Sequence, residues 1–163
     1  PMESAVPVKP IPEGYHSVTP YLIVKNGAAA IEFYKKALGA TELYRLDGPG
    51  GTVAHAEVQI GDSRVMLSDE WPEFGALGPE SRGGTPVGFC VYVDDCDVAF
   101  ERAVAAGGRV DKPVQDQFYG DRSGTFIDPF GHKWTIATHV EDVTPELMQK
   151  RMEEWMAGAA SGA

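Results

Sequence analysis

The chain has 163 residues, 43% of them hydrophobic and 23% charged, which suits a single soluble globular domain with its own core. Its formal net charge of −10 offers no basic face for phosphate and so argues against nucleic acid and anionic membrane surfaces as partners. No apolar run reaches the ~18 residues of a membrane span, and no charged-then-apolar leader is visible, so neither a span nor a signal peptide is expected.

Pro1 before Met2 reads as the remnant of a cleaved tag, with Met2 as the native start. Residues 1–14 carry four prolines and no periodicity, the pattern of a flexible Pro-rich arm. "HSVTPYLIV" (16–24) then reads as a strand. Asn26 is placed to cap a helix over "GAAAIEFYKKAL", which Gly39 stops. "TELYRLDG" is a second strand, and "TVAHAEVQI" a third with alternating faces. Gly61-Asp62 turns the chain into "SRVMLSD", a hairpin signal. A loop over 70–86 follows, rich in Gly, Pro and acid.

The order then repeats. "VGFCVYV" reads as a strand, and Asp94 or Asp95 caps a helix "CDVAFERAVAAG" that ends at the glycine pair 107–108. "RVDKPVQ" is extended, "RSGTFID" is a strand, and "DPFG" turns into a last strand, "HKWTIATH". A shift of 69 residues places Val24 on Val93, Asn26 on Asp95, Ile31 on Phe100 and Gly39 on Gly108, a self-similarity that preserves element order. Residues 141–163 form a C-terminal amphipathic helix and tail. Thr144 caps the helix, Pro145 opens it, and Leu147, Met148, Met152, Trp155 and Met156 form an apolar stripe suited to packing on the body or on a partner subunit. Cys90 and Cys96 are too few for a disulfide framework and badly placed to bridge, so two free thiols in a reducing cytoplasm are expected.

Two tandem β-α-β-β-β modules resemble the vicinal oxygen chelate superfamily, which includes glyoxalase I, extradiol dioxygenases and bleomycin-resistance proteins. The segments "TPYLIVKNGAAAIEFYKKALGA", "VAHAEVQIGDSRVMLSDE", "YVDDCDVAFERAVAAGG" and "FYGDRSGTFIDPFGHKWTIATH" carry the likeness, which is strongest to the PhnB-like subgroup. The resemblance implies an α+β fold. Its two modules, about 15–70 and 86–140 of a glyoxalase-like domain over 15–140, would form a cupped, mostly antiparallel sheet with the helices on the outer face. A homodimer and an enclosed cavity belong to the same expectation.

Glyoxalase-type members place metal ligands at the first and last strand of each module. Alignment on "IEFY", "VDD" and "DPFG" puts Thr19, Met66, Gly88 and Thr135 there, none a usual ligand for Zn, Ni or Fe. A one-residue slip would turn the wrong face inward and does not restore the site. No metal and no other cofactor is therefore expected.

Four histidines remain to be placed. His132 and His139 flank one strand seven positions apart, so they face opposite ways and sit roughly 20 Å apart. His132 reads as a surface or hydrogen-bonded residue, His139 as the rim of the sheet, and His16 has no assigned role. His55 differs. Ala54, Ala56, Val58 and Ile60 make a small apolar face for a helix and leave His55, Glu57 and Gln59 on the other. His55 and Glu57 lie side by side at ~6–7 Å on that face. The pair could serve acid–base catalysis, hydrogen-bond a polar ligand, or be purely structural.

The family geometry adds Thr19, Tyr21, Met66, Ser68, Gly88, Cys90, Tyr92 and Thr135 around that pair. Phe118 and Tyr119 offer stacking surfaces on a rim, and Trp71 could wall the cavity from the other end. Arg122 offers a fork for a carboxylate or phosphate, unless it and Asp121 neutralise each other in a turn. The glycines lack phosphate-loop spacing, and no Ser-His-Asp or Cys-His order stands out. The expected function is a cytoplasmic protein that binds a small organic molecule without the family metal. One alternative is a metal-dependent lyase, isomerase or dioxygenase built on His55 and Glu57. Another is a non-catalytic interaction module that uses the C-terminal stripe.

Overall fold

The computed structural model describes residues 6–161. Of the Pro-rich arm expected over 1–14, residues 1–5 lie outside the described residues, and 6–14 run exposed without helix or strand. The described residues divide into two compact units, one holding the chain up to Lys35 and Gly39–Gly78, the other Lys36–Leu38 and the chain from Pro79 onward.

The first unit carries β1 (Tyr21–Val24), most of α1 (Gly27–Leu38), β2 (Thr41–Asp47), β3 (Val53–Ile60) and β4 (Ser63–Asp69). Its four-stranded sheet has the order β1-β4-β3-β2, with β1 parallel to β4 and the other two pairs antiparallel. The helix starts where Asn26 Oδ1 accepts from the Ala29 amide at 3.1 Å, and stops where Gly39 turns left-handed at φ 66°. Ala30, Ile31, Tyr34 and Ala37, spaced by three and four, are buried, as are Leu22, Val24, Ala56, Val58 and Leu67 on alternate strand positions. Asp69, itself buried, accepts from the Gly27 amide at 3.1 Å and the Val53 amide at 2.7 Å, which ties the helix start to two strands.

The second unit carries a short α2 (Pro79–Arg82), β5 (Gly88–Tyr92), α3 (Cys96–Ala105), β6 (Arg109–Asp116), β7 (Asp121–Ile127), β8 (Lys133–His139) and α4 (Pro145–Ser161). Its sheet repeats the first as β5-β8-β7-β6, again with one parallel pair, β5 with β8. Asp95 caps α3 as Asn26 caps α1. The Cys96 amide is held by Thr138 Oγ1 at 2.9 Å, and Thr138 stands 69 residues after Asp69, as Cys96 does after Gly27. Each module thus secures its helix start with the end of its last strand. Both cysteines are free.

Several details differ from the sequence reading. The first strand begins at Tyr21 and not at His16, since Pro20 has no amide to donate and contributes only its carbonyl, to the Met66 amide. A register shift pairs Leu46 with His55 but Asp47 with Val53, so the extra residue in β3 is Ala54. That bulge puts Val53 on the buried face and leaves Ala54 half-buried, outside the apolar row assigned to it. Gly107 takes the positive φ after α3, while Gly108 serves close packing against Phe126. The loop over 70–86 contains a 3₁₀ turn at Pro72–Phe74 and a Trp71–Ala76 bridge as well as α2. His132 is buried, and its amide is bonded to Asp128.

Thr144 Oγ1 accepts from the Leu147 amide at the start of α4. The helix is fastened by Arg151, which forks onto Glu141 at 2.8 Å twice and reaches the Phe118 carbonyl, and by Trp155 against the Phe118 ring. Its apolar stripe stays open: Trp155 and Met156 remain 60% and 57% exposed.

Candidate functional site

The strand register of the first sheet sets the site. Met66 pairs with Tyr21 on one side and Glu57 on the other, and Glu57 pairs with Tyr44. Tyr21, Met66, Glu57 and Tyr44 therefore form one row, at ~4.8 Å per strand, on the face away from the buried core. Ser68, beside Ile23, and His55, beside Leu46, stand one step along their strands. Thr41, Gln59 and Arg64 form the row on the other side.

Within this face His55 is held from two directions. Tyr21 Oη lies 2.9 Å from His55 Nδ1, and Glu57 Oε1 lies 3.6 Å from Nε2. A phenol is the stronger donor of the first pair, so Nδ1 accepts and the remaining ring proton sits on Nε2, toward Glu57. The side chains of His55 and Glu57 are 25% and 21% exposed. The rings of Tyr21 and Tyr44 lie 5.5 and 6.4 Å from the imidazole. Arg64 bonds Gln59 and stacks 5.0 Å over the Tyr15 ring. Tyr15 Oη is shielded from solvent and makes no hydrogen bond of good geometry. Burial pushes the Tyr15 phenol up, and the nearby Glu57 carboxylate adds to this against the pull of Arg64.

The face thus gathers polar side chains that water still reaches around one shielded hydroxyl, Tyr15 Oη, without a hydrogen bond of good geometry, an arrangement open to a polar ligand. Of the sequence-derived residues, the structure brings together Tyr21, His55, Glu57, Met66 and Ser68. Thr19 precedes the strand on the same alternation. Trp71 lies near the start of β3, close to Gly48, whose added methyl would come 3.4 Å from the Trp71 ring and 3.6 Å from Ala54 Cβ.

The second sheet differs. Cys90 pairs with Thr135, and Thr135 Oγ1 is already engaged by Thr125 Oγ1 at 2.8 Å. Tyr92 Oη donates to Asp121 at 2.7 Å, which pushes the phenol up to about 12. Asp121, buried, also takes His139 Nδ1 at 2.8 Å, and His139 Nε2 meets Asp142 at 2.7 Å. With a carboxylate at each ring nitrogen, led by Asp121, the His139 imidazole is raised above its ordinary pKa. Burial first, then the Asp121 charge, raises the Cys90 thiol. Tyr92, Asp121, His139 and Asp142 satisfy one another in a closed circuit.

Arg122 lies on the other face of β7. Its fork is taken by Asp97 at 2.8 and 2.9 Å, with Asp116 at 3.2 Å, so neither a free fork nor the Asp121–Arg122 pair is present. Strand parity is the reason: Asp121 and Ser123 point one way, Arg122 the other. Phe118 stacks edge-on with Tyr119 at 5.3 Å and is shared with Trp155.

Sequence reasoning missed Tyr15, Tyr44, Arg64 and the Asp121–His139 pair. Arg64 was within reach, being two positions before Met66 on the same face. Counting back from the turn at Asp128 would have set Asp121 opposite His139. Tyr44 was hidden by a register shift between Glu42 and Tyr44, and Tyr15 lies outside any periodic element.

The four positions at which glyoxalase-type members place metal ligands hold side chains here that do not suit one. Met66 offers a thioether between Tyr21 and Glu57, Thr135 a hydroxyl already bonded, Gly88 no side chain, and Thr19 a hydroxyl. Among the described residues no group of three or more His, Cys, Asp or Glu is arranged to hold a metal ion. No described helix is long and apolar enough to cross a membrane.

Comparison with known proteins gives a consistent picture. The family model described as the glyoxalase/bleomycin resistance protein/dioxygenase superfamily matches residues 14–136. The uncharacterized protein Rv0887c of Mycobacterium tuberculosis is 41% identical over 139 residues, covering 83% of this chain and 82% of the relative. Protein YjdN of Escherichia coli is 28% identical over 144 residues, covering 73% and 92%. The crystal structure of TioX from Micromonospora sp. ML1 superposes with a TM-score of 0.60 at 27% identity, over 75% of this chain and 97% of that one.

Proposed function

Since the chain belongs to the glyoxalase/bleomycin resistance protein/dioxygenase superfamily, we propose that it uses the polar face of its first sheet to bind a small organic molecule without the usual family metal. One observation carries this reading. Beside the Tyr21–His55–Glu57 face the shielded Tyr15 Oη makes no hydrogen bond of good geometry, whereas Tyr92, Asp121 and His139 of the second sheet are closed on one another. A ligand with a hydrogen-bonding oxygen or nitrogen and an apolar body suits the Met66 thioether and the rings of Tyr21 and Tyr44.

The motifs that set the chain near the PhnB-like subgroup, and a cytoplasmic homodimer, belong to the same proposal. The C-terminal stripe supports the dimer, because Trp155 and Met156 stay exposed on a single chain. Copurifying molecules, eluted by denaturation and weighed, identify the ligand. His55→Asn and Glu57→Gln then separate binding from folding. Each should change stability by less than ~1 kcal/mol. Glu57→Gln should weaken the eluted ligand's binding by ~1.5–3 kcal/mol, the loss of a charge-assisted hydrogen bond, and His55→Asn by ~0.5–1.5 kcal/mol, the loss of a neutral one. A large fall in melting temperature with affinity untouched would make the pair structural and remove the proposal.

A further inference from the structure

The two sheets end differently at the edge formed by the second strand of each module. β2 pairs with β3 alone, and no described strand lies along its other side, so main-chain donors and acceptors stand open there. β6 holds the same place in the second sheet. It carries Lys112 and Pro113, a charge and a residue with no amide to give, and both deter a further strand. No proline or lysine interrupts β2, and its Leu43, Tyr44 and Leu46 are 41%, 50% and 50% exposed.

The register of β2 decides what can pair with it. Thr41, Tyr44 and Leu46 oppose Gln59, Glu57 and His55, so all three stand on the polar face. Glu42 and Arg45 oppose Val58 and Ala56 and stand on the other face. Without the extra residue Leu43, positions 42 and 45 would point opposite ways. The bulge brings them to one face, where Arg45 Nε donates to Glu42 Oε1. Laid antiparallel on a copy of itself about the 43–44 peptide bond, the strand sets Thr41 on Leu46, Glu42 on Arg45 and Leu43 on Tyr44. Facing residues then share a face, and Glu42 meets the opposite charge. A slip of one residue in either direction sets Glu42 on Tyr44 or Leu46, which lie on the wrong face.

We propose that β2 is a docking edge for β2 of a second copy of this chain, paired antiparallel about a twofold axis between Leu43 and Tyr44. Glu42 then faces Arg45 of the partner subunit, and the twofold repeats that ion pair. Main-chain hydrogen bonds along the open edge are likewise each made twice. Chains of net charge −10 repel one another at long range, so an edge where acid meets base favours approach there. The pairing also bears on the binding face, because Tyr44 is a ring 6.4 Å from His55 and would be walled by Leu43 of the partner subunit.

Charge reversal on this strand tests the pairing and leaves the core intact, since the Glu42 and Arg45 side chains are 25% and 29% exposed. Glu42→Arg makes a strand that repels its own copy, and Arg45→Glu makes another that does the same. In sedimentation equilibrium each variant alone should self-associate at least about tenfold more weakly than the parent, because both ion pairs become like-charge contacts. An equimolar mixture of the two should recover the parent's affinity, and native mass spectrometry should show the mixed dimer in excess over either like pair. The ion pair within one strand cannot give this recovery, because neither variant has it. If either variant fails to fold, Leu43→Asp and Leu43→Lys, on the exposed bulge beside the axis, serve as the opposed pair. Repeating the mixture with Trp155→Glu in both chains keeps the stripe of α4 out of the readout. A monomeric parent, folded variants that associate as the parent does, or a mixture no tighter than its components overturns the proposal.

Discussion

Replacement of Asp128 by alanine should be among the most damaging single changes to the second unit. The carboxylate is 4% exposed and collects three donors: the Phe130 amide at 2.8 Å, the His132 amide at 3.0 Å and the Trp134 indole nitrogen at 2.9 Å. It thereby closes the turn between β7 and β8 and fixes the largest fully buried side chain, Trp134. Alanine withdraws the acceptor from all three donors. Two of these bonds are buried and one is part-buried, and each lost acceptor costs ~1–3 kcal/mol, so the sum is about 4 kcal/mol. Asparagine keeps one oxygen for the two amides but turns an NH₂ toward the indole N–H, a donor against a donor, at roughly half that cost. For a chain of this length 4 kcal/mol corresponds to a fall in melting temperature of about 10 °C. Urea unfolding followed by circular dichroism measures it, with the midpoint lowered and the slope unchanged. A loss below ~1 kcal/mol for alanine, or a larger loss for asparagine than for alanine, would refute the reasoning.

His139 should remain an imidazolium above its ordinary value of 6.5, because Asp121 and Asp142 face its two nitrogens; Tyr92, the other group on Asp121, is a neutral phenol. Its contribution to stability is then fully present below the unfolded value and lost as pH rises through the elevated folded one. Proton NMR titration should show the midpoint return toward 6.5 in Asp121→Asn, and a midpoint already ordinary in the parent would contradict the circuit. Gly108→Ala places a methyl 2.8 Å from Phe126 Cδ2 and 3.0 Å from the Ala103 carbonyl, so urea unfolding should show a loss of ~1–3 kcal/mol, against none if the site has room. Sedimentation at micromolar concentration should show a dimer that Trp155→Glu weakens; a clean monomer of the parent would dismiss the use of the exposed stripe.

Much of the fold was legible because local chemistry and periodicity agreed. Asn26 and Asp95 cap their helices, Gly39 ends the first, and the alternation of β3 puts Ala56, Val58 and Ile60 inside, with His55 and Glu57 on the other face. The 69-residue repeat extends further than the caps, to Asp69 and Thr138 on the two helix starts. The site was legible only where one strand supplied it. His55 with Glu57 follows from parity, but Tyr21 as the partner of His55 depends on register across β4, and Tyr44 on a bulge that no propensity signals. Arg122 was misread for the opposite reason: its chemistry suits a ligand, but its parity gives it to Asp97 on α3.

Native mass spectrometry of the protein, purified in chelator without added metal, tests the central claim most directly by weighing metals and organic molecules together. The account predicts an organic mass bound to the parent, no stoichiometric Zn, Ni, Fe or Mn, and loss of the organic mass in folded His55→Asn. About one metal per chain, lost when His55 or Glu57 is replaced, would contradict it.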